Sequence, residues 1–205
     1  MDTKQRILDE ALTLFSEKGY ANVFVNDIAE KVGIKAPSLY KHYKNKQAIF
    51  DAIIGEMNHR FEQQAQALSI NGTDPTADAE IYKNMDEDHL VKLGNDLFMY
   101  YLHDSYTKRF RKMLTLEQFK DKDLAKVYSQ QYFDSPLSYQ GMLLGMLVAQ
   151  GFLVADSVPI MTIHFFAPIY MLLTVCDRQP EREQEALNLL EKHIRQFDKL
   201  YGRNF

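Results

Sequence analysis

The stretch GIKAPSLYKHYKNKQ, residues 33–47, decides how this chain is interpreted. Five lysines lie at positions 31, 35, 41, 44 and 46, and no Asp or Glu lies between the first and the last of them. Two tyrosines and a histidine are interleaved with these lysines, and a proline lies near the front. Such a segment produces a local positive field, which is what contact with a polyanion requires.

Charge is distributed unevenly along the chain. Residues 1–50 contain eight Lys or Arg and six Asp or Glu, whereas all 205 residues contain 24 and 28. The net charge of −4 therefore combines a basic N-terminal part with an acidic remainder. The apolar fraction of 46% is sufficient for a packed core, and the length suits one domain or a small domain joined to a larger one.

Hydrophobic periodicity predicts helices on both sides of the basic stretch. Residues 3–18 place apolar side chains on one helical face, Asp2 and Gln5 resemble a capping box, and Gly19 suits a helix end. The apolar residues on that face are Ile7, Leu8, Ala11, Leu12 and Phe15.

Two short helices are predicted next, joined by a tight turn at Gly33. The second begins near Pro37, a residue favoured in the first turn of a helix, and runs to about Tyr43. Asn45 is suited to cap a further helix that continues to about Leu68 and connects the N-terminal part to the rest. This is the pattern of a helix-turn-helix, whose second helix enters the major groove of DNA.

The remainder of the chain is also predicted to be helical. Residues 69–80 are rich in Gly, Pro, Asp and Thr and are interpreted as a loop. A long helix from about 124 to 153 is expected to bend near Pro136. No strand alternation is apparent, so the predicted fold class is all-α with about nine helices.

Two late segments favour association between chains. Residues 158–176 contain no Asp, Glu, Lys or Arg, a length that could cross a bilayer. We favour a helix buried on nearly all sides, for example at a subunit interface, because Pro168 interrupts it and no aromatic or basic belt marks its ends. The segment behind it has apolar residues at steps of three and four, a packing seam. The predicted interface residues are Phe165, Ile169, Leu172, Leu187, Leu190, Ile194 and Phe197.

Charge alone leaves two interpretations of the basic stretch open. It is either a solvated face of a helical bundle or a DNA-binding element. Leu39 and Tyr43 are expected to fill the core of the helix-turn-helix, and Tyr40 is expected to touch phosphate. Lys31 and Lys44 are equally consistent with solvated surface residues.

A resemblance favours the DNA-binding interpretation. The stretches ILDEALTLFSEKGYANV (7–23) and DIAEKVGIKAPSLYKHYKNKQAIFDAI (27–53) carry it. The features that match are Phe15, Gly19, Tyr20, the pair Ile28 and Ala29, Gly33, the pair Leu39 and Tyr40, Tyr43 and Lys46. In these features the chain resembles the DNA-binding domain of TetR-family transcriptional regulators. The match is specific over about a quarter of the chain, and beyond it only the length and the helical layout agree.

The resemblance implies a helix-turn-helix DNA-binding domain at residues 1–46 and an effector-binding and dimerisation domain at 47–205. It implies a homodimer that binds a pseudo-palindromic double-stranded operator, as a repressor that a small molecule releases. One departure concerns the start of the second helix, where the family often has Thr or Ser and this chain has Phe24 and Val25, so Asn26 is a candidate for the missing cap. The residues that the resemblance places toward DNA are Asn26, Lys35, Ala36, Pro37, Ser38, Tyr40, Lys41, His42 and Lys46.

An effector pocket is expected in the part of the chain that is rich in aromatic residues and methionine, because methionine adapts to varied apolar shapes. The ligand is expected to be mostly apolar, with Tyr100 and His103 as candidate polar contacts. The predicted lining residues are Met99, Tyr100, His103, Phe110, Met113, Tyr132 and Met142.

Other classes of function find less support in the sequence. No histidines are spaced as metal ligands, and no nucleophile elbow, phosphate-binding loop or dinucleotide fingerprint occurs, so neither a metal site, a cofactor nor an enzyme is predicted. The single cysteine, Cys176, and the charged N-terminus fit a cytoplasmic protein. A membrane protein and an adaptor that binds a protein partner remain as alternatives, and salt-dependent binding to duplex DNA separates them from the DNA-binding interpretation.

Overall fold

A computed structural model describes residues 2–202, and these residues form a helical protein without β-strands, apart from one isolated antiparallel bridge between Leu153 and Gly202. The all-α prediction is therefore confirmed. The helices are α1 (Thr3–Lys18), α2 (Val25–Val32), α3 (Ala36–Tyr40), α4 (Lys46–Ala67), α5 (Pro75–Tyr82), α6 (Glu87–His103), α7 (Ser105–Glu117), α8 (Lys122–Ser129), α9 (Ser135–Ala149), α10 (Val158–Arg178) and α11 (Glu183–Tyr201), with a π-helical turn at Gln130–Asp134 and a 3-10 turn at Pro180–Arg182.

The described residues form eleven α-helices instead of about nine, and one additional helix, α5, begins inside the predicted loop 69–80. The Asp74 carboxylate accepts hydrogen bonds from the backbone N–H groups of Thr76 (2.9 Å) and Ala77 (3.2 Å), and Pro75 is the first helical residue. Aspartate and proline are turn residues, but they also start helices. The loop prediction was therefore wrong from Pro75 onward.

The predicted long helix from about 124 to 153 is interrupted near Pro136, where a bend was expected. Helices α8 and α9 are separated by the π-helical turn Gln130–Asp134. Pro136 has no N–H, and in a regular α-helix its ring would meet the carbonyl four residues earlier. A π-helical turn widens the helix at this point and removes the conflict.

The two ends of α1 show how far capping can be predicted. Asp2 occupies the N-cap position, but its side chain makes no capping hydrogen bond, so the predicted capping box is wrong. Gly19 ends the helix as predicted, with φ of +83° and its N–H donating to the carbonyl of Phe15 at 3.0 Å. A Cβ at Gly19 would lie 2.7 Å from Oε1 of Glu117, so this position requires glycine both for its conformation and for space.

The chain forms two compact units. The first comprises the chain up to Phe61 together with Asp104–Ser129, and the second comprises Glu62–His103 and the chain from Gln130 onward. Helices α7 and α8 thus belong to the same unit as the N-terminal helices. The functional division at residue 46 stays a prediction.

In the first unit, α1 packs against α2 and α7. The apolar face predicted for α1 is buried, which confirms that prediction. On α7, Phe110 and Met113 are fully buried. These two side chains are core residues of the first unit, and their assignment to an effector pocket stays a prediction. Large flexible apolar side chains fill cores as readily as they line pockets.

In the second unit, α10 packs against α9, α11 and α6, and α11 also packs against α6. Leu172, Leu190 and Ile194 are buried in one apolar cluster of this unit, and Phe197 is buried in another. Four of the seven predicted interface residues are therefore core residues of this chain. The seam periodicity was read correctly as a packing face, but periodicity does not say which helix covers the face. Phe165, Ile169 and Leu187 are partly buried against the same clusters.

Helix α10 is only partly buried within this chain, so its predicted burial on nearly all sides, for example at a subunit interface, stays a prediction. It is long and apolar enough to cross a membrane by length and composition alone, and 22% of its most apolar 18-residue window is buried. Ile160, Ile163 and Met171 are exposed. An apolar strip on α10 is thus left uncovered.

The contact between α6 and α11 can be tested with two helical glycines. A Cβ at Gly94 would lie 2.4 Å from Cδ1 of Ile194, so Gly94→Ala should lower the free energy of unfolding by about 1–2 kcal/mol because the packed side chain must move. A Cβ at Gly55 in α4 would have no heavy atom within 4 Å, so Gly55→Ala should raise the free energy of unfolding by about 0.5–1 kcal/mol. Urea unfolding measures both, and stabilisation by Gly94→Ala would contradict the close approach of α6 and α11.

Candidate nucleic-acid interface

A left-handed glycine joins α2 to α3. Gly33 has φ of +76° and ψ of 33°, and its N–H donates to the carbonyl of Glu30 at 3.0 Å. The N–H of Ile34 donates to the carbonyl of Ala29 at 2.9 Å, which completes the last turn of α2. This glycine-ended turn reverses the chain within three residues, and Lys35 then precedes α3 in an extended conformation. The predicted helix-turn-helix arrangement of short helices is confirmed.

Helix α3 is short and is held by a single buried side chain. It comprises five residues, of which Leu39 is fully buried, and Tyr43 follows it into the core. Burial raises the pKa of Tyr43 to about 12, so its phenol is neutral at physiological pH. The prediction that Leu39 and Tyr43 are core residues is confirmed. Helix α4 starts directly afterwards, where Oδ1 of Asn45 accepts a hydrogen bond from the N–H of Ala48 at 2.8 Å, as expected for the cap.

The start of α2 is capped by Asp27 and not by the candidate Asn26. Oδ2 of Asp27 accepts a hydrogen bond from the N–H of Phe24 at 2.7 Å, which is the acidic half of a capping box. The side chain of Phe24 has no acceptor and is 67% exposed. Asn26 is exposed and its side chain is not needed for the cap.

Most residues predicted to face DNA are accessible. Asn26, Lys35, Pro37, Tyr40, Lys41 and His42 are exposed, and Ala36, Ser38 and Lys46 are partly buried. Within residues 2–202 no ion pair involves Lys31, Lys35, Lys41 or Lys44. Their charges are therefore not neutralised by neighbouring carboxylates, and they remain available to phosphates.

A shallow cleft brings part of this set together. Its volume is about 280 Å³, and it contains three of the predicted residues, namely Asn26, Tyr40 and Lys46. Val23, Phe24 and Val25 complete the lining. Phe24 was not predicted as a site residue. The available signal was its position, because an exposed aromatic residue replaces the Thr or Ser that the resemblance leads one to expect at a helix start.

Lys46 has a structural role that the sequence did not predict. Its Nζ donates to the carbonyls of Tyr20 (2.7 Å) and Val23 (2.9 Å) and lies 4.3 Å from the centroid of the Tyr20 ring. Desolvation lowers its pKa. The lysine thus ties the loop between α1 and α2 to the first residue of α4. Its charge opposes the dipole of α4, and the carbonyl oxygens and the ring offset this repulsion.

The predicted effector residues are divided between the two units. Phe110 and Met113 lie in the core of the first unit, and the other five belong to the second. There His103 pairs with Glu183 at 3.0 Å, and the Tyr132 ring lies 6.0 Å from that of Tyr170. A cleft of about 460 Å³ in the second unit is lined by none of the seven; its residues are Glu62, Gln66, Ser69, Ile70, Asn71, Thr73, Ala77 and Ile81.

Residues 7–53, which contain the whole helix-turn-helix, match the sequence profile of the bacterial regulatory proteins of the tetR family. Over these residues the chain is similar to the DNA-binding segment of that family. The biofilm operon icaADBC HTH-type negative transcriptional regulator IcaR of Staphylococcus epidermidis is 53% identical over 47 residues, which are 23% of this chain and 25% of IcaR. IcaR of Staphylococcus aureus strain Newman is 50% identical over 48 residues, 23% of this chain and 26% of that protein. The chain therefore matches about a quarter of the length of these curated relatives.

Solved structures are similar in fold over nearly the whole chain. SmeT, the repressor of the Stenotrophomonas maltophilia multidrug efflux pump SmeDEF, is similar with a TM-score of 0.66 and 19% identity, over 100% of this chain and 92% of SmeT. Salmonella enterica GusR is similar with a TM-score of 0.65 and 18% identity, over 96% of this chain and 95% of GusR. At these identities the similarity establishes the fold alone.

The role of Lys46 can be tested by removing its ammonium group. Lys46→Ala removes the Nζ donor from the carbonyls of Tyr20 and Val23, and only that of Tyr20 keeps a longer hydrogen bond, from the N–H of Val23 at 3.4 Å. The free energy of unfolding should therefore fall by about 1–3 kcal/mol. Lys44→Ala is the control. Because Lys44 is exposed, this substitution should change the free energy of unfolding by less than about 0.5 kcal/mol. Chemical denaturation compares the two variants, and equal effects would show that the Lys46 contacts contribute nothing.

Proposed function

We propose that this chain is a sequence-specific DNA-binding transcriptional repressor. The observation that carries the proposal is a helix-turn-helix whose exposed lysines have no carboxylate partners, in a domain 53% identical to that of a negative transcriptional regulator. Electrostatic attraction to the phosphate backbone supplies affinity, and the side chains of α3 supply sequence readout in the major groove. No enzymatic activity is part of the proposal.

The residues of this surface divide between the two tasks. Lys35 and Lys41 are exposed near the two ends of α3 and are suited to reach phosphates or guanine edges. Ala36 and Ser38 are small, so that the start of α3 can approach base edges closely. Around them Asn26, Pro37, Tyr40 and His42 are proposed to contact the DNA backbone. Lys46, whose ammonium already donates to two carbonyls, is proposed to contribute its third N–H.

Replacement of two lysines tests the proposal directly. Lys35→Ala combined with Lys41→Ala should weaken binding to every duplex and reduce the slope of log K against log salt concentration by up to about four units, two for each subunit of the proposed dimer. Lys122→Ala combined with Lys126→Ala changes the net charge equally on the exposed face of α8 and should leave both quantities nearly unchanged. Fluorescence anisotropy over a range of salt concentrations measures them. Unchanged DNA binding in the Lys35/Lys41 variant would refute the proposal.

We propose that the repressor is a homodimer formed through the exposed faces of α10 and α11. Within residues 2–202, ten large hydrophobic side chains are exposed, and five of them lie on these two helices. Ile160 and Met171 are eleven residues apart, as are Leu189 and Leu200, so each pair shares one helical face. Contiguous exposed apolar strips of this kind mark interaction surfaces. The interface stays on the predicted segments but uses different residues.

A second copy explains the exposed face of α10 better than a membrane does. The opposite side of α10 is packed, with Leu172, Leu173 and Cys176 buried against α6 and α11. A twofold-symmetric dimer would cover the free strips with identical strips, and its symmetry would match a pseudo-palindromic operator. A DNA-binding protein of this kind acts in the cytoplasm, where bacterial DNA lies.

Charged substitutions on the exposed strip should separate the subunits. Ile163→Glu with Met171→Glu should yield a folded monomer with much weaker operator binding, because two buried carboxylates at a dimer interface cannot be paired. Leu116→Glu with Phe119→Glu places the same charges at exposed apolar residues of the first unit and should leave the dimer intact. Light scattering and circular dichroism report mass and fold. A dimeric Ile163/Met171 variant would place the interface elsewhere.

We further propose that a small, mostly apolar ligand releases the repressor from DNA. SmeT, which shares the fold, has been solved in complex with triclosan. The candidate contacts that remain in the second unit are Met99, Tyr100, His103, Tyr132 and Met142. If every apolar compound that binds the protein leaves its affinity for DNA unchanged, this part of the proposal is wrong.

A further inference from the structure

Arg109 on α7 binds acceptors on α1 and on its own helix through its guanidinium group. Its Nη2 donates to Oδ1 of Asp9 at 2.6 Å, and its Nη1 donates to the carbonyl of Asp9 at 3.1 Å and to Oγ1 of Thr13. Its Nε donates to the carbonyl of Ser105 at 3.0 Å. A planar guanidinium that binds backbone and side-chain acceptors on α1 at once fixes both the distance and the rotation of that helix.

The same arginine is held in place by an aromatic neighbour. The ring of Tyr106 is fully buried, with the guanidinium of Arg60 at 4.5 Å and that of Arg109 at 5.8 Å from its centroid. Arg60 is in turn paired with Glu56 at 2.8 Å and lies 3.8 Å from Asp104. Burial raises the pKa of Tyr106, so the ring is neutral and attracts both cations. Helices α1, α4 and α7 are thereby connected by one polar network.

One turn before Asp9, α1 contacts the helix-turn-helix itself. Nη2 of Arg6 donates to the carbonyl of Val32 at 2.6 Å. Val32 is the last residue of α2 and directly precedes Gly33, so this contact lies at the turn that sets the direction of α3. Because Arg6 and Asp9 are three residues apart on a continuous helix, α1 moves as a unit, and its position at Asp9 determines its position at Arg6.

We propose that Arg109 is a positioning residue for DNA recognition, which acts through Asp9 and Arg6 on the turn at Gly33. It touches no DNA in this scheme. The sequence indicated that the helix now seen as α4 connects the N-terminal part to the rest of the chain. The contacts of Arg109 make α7 a second element that determines how α3 is presented.

The first test does not depend on DNA. Hydrogen exchange is measured at the turn amides of Gly33 and Ile34 in the unmodified protein, in Arg109→Met and in Asp9→Asn, which breaks the pair from the other side. Both variants should exchange about tenfold faster at the turn. Arg109→Lys retains the charge but cannot reach all four acceptors, so its exchange rate should lie between those of the unmodified protein and of Arg109→Met. Unchanged exchange in both Arg109→Met and Asp9→Asn would overturn the inference, whether or not the protein binds DNA.

A matched control removes a similar network elsewhere. Arg195 on α11 contacts Glu87 (2.7 Å), Asp88 (2.8 Å) and Glu191 (3.0 Å), all in the second unit. Arg195→Met makes the same chemical change and should leave exchange at Gly33 and Ile34 unaltered. If it accelerates the turn as much as Arg109→Met does, the effect is a general loss of stability and the inference is wrong.

The second readout rests on the proposed DNA-binding function. The probes are a duplex selected from a random pool by the unmodified protein and a scrambled duplex of equal length, at a temperature where circular dichroism shows all variants folded. Arg109→Met should lower affinity for the selected duplex at least about fivefold and leave affinity for the scrambled duplex unchanged, because the charge facing DNA is the same. Faster exchange at the turn with an unchanged affinity ratio would refute the positioning role. If the unmodified protein binds neither duplex, the proposed function is refuted. The exchange data would still show whether the contact between Arg109 and Asp9 stabilises the turn at Gly33.

Discussion

The N-terminal domain depends on the left-handed conformation of Gly33. A residue with a Cβ at this φ would cost about 1–2 kcal/mol, and any other backbone path would send α3 in a different direction. Helix α3 has only five residues and cannot be stable alone, so its orientation comes from this turn and from Leu39 in the core. Arg6 secures the same turn by binding the carbonyl that precedes it.

Around this turn, residues of one chemical type have divided into two roles. Lys31, Lys35, Lys41 and Lys44 are exposed and are not paired with carboxylates, so their charge is offered to an external anion. Lys46 instead satisfies two backbone carbonyls and rests on an aromatic ring. The distinction arises from local packing, because a loop whose carbonyls point inward needs a donor and a lysine at the start of α4 is within reach.

Apolar residues show a similar division in the second unit. Helix α10 has one packed side and one exposed side, and both are apolar. A helix that is apolar all round must be covered all round, and this chain covers only part of it. The seam of α11 is used internally, and the apolar residues left outside, Leu189 and Leu200, lie on a different face. The exposed strips are the surface on which we propose that a second copy packs.

The sequence by itself determined the helical class, the glycine-ended turn, the buried face of α1 and the basic character of the surface around α3. These follow from local rules, namely periodicity, the conformational freedom of glycine and the absence of carboxylates among five lysines. Only the tertiary structure decided that Lys46 binds carbonyls, that Phe110 and Met113 fill a core, and that Leu190 and Ile194 face their own chain. In each case the side chain suits two partners equally well, and which one it meets depends on residues distant in sequence, whose approach no local pattern encodes. The contact between Arg109 and Asp9, one hundred residues apart, is of the same kind.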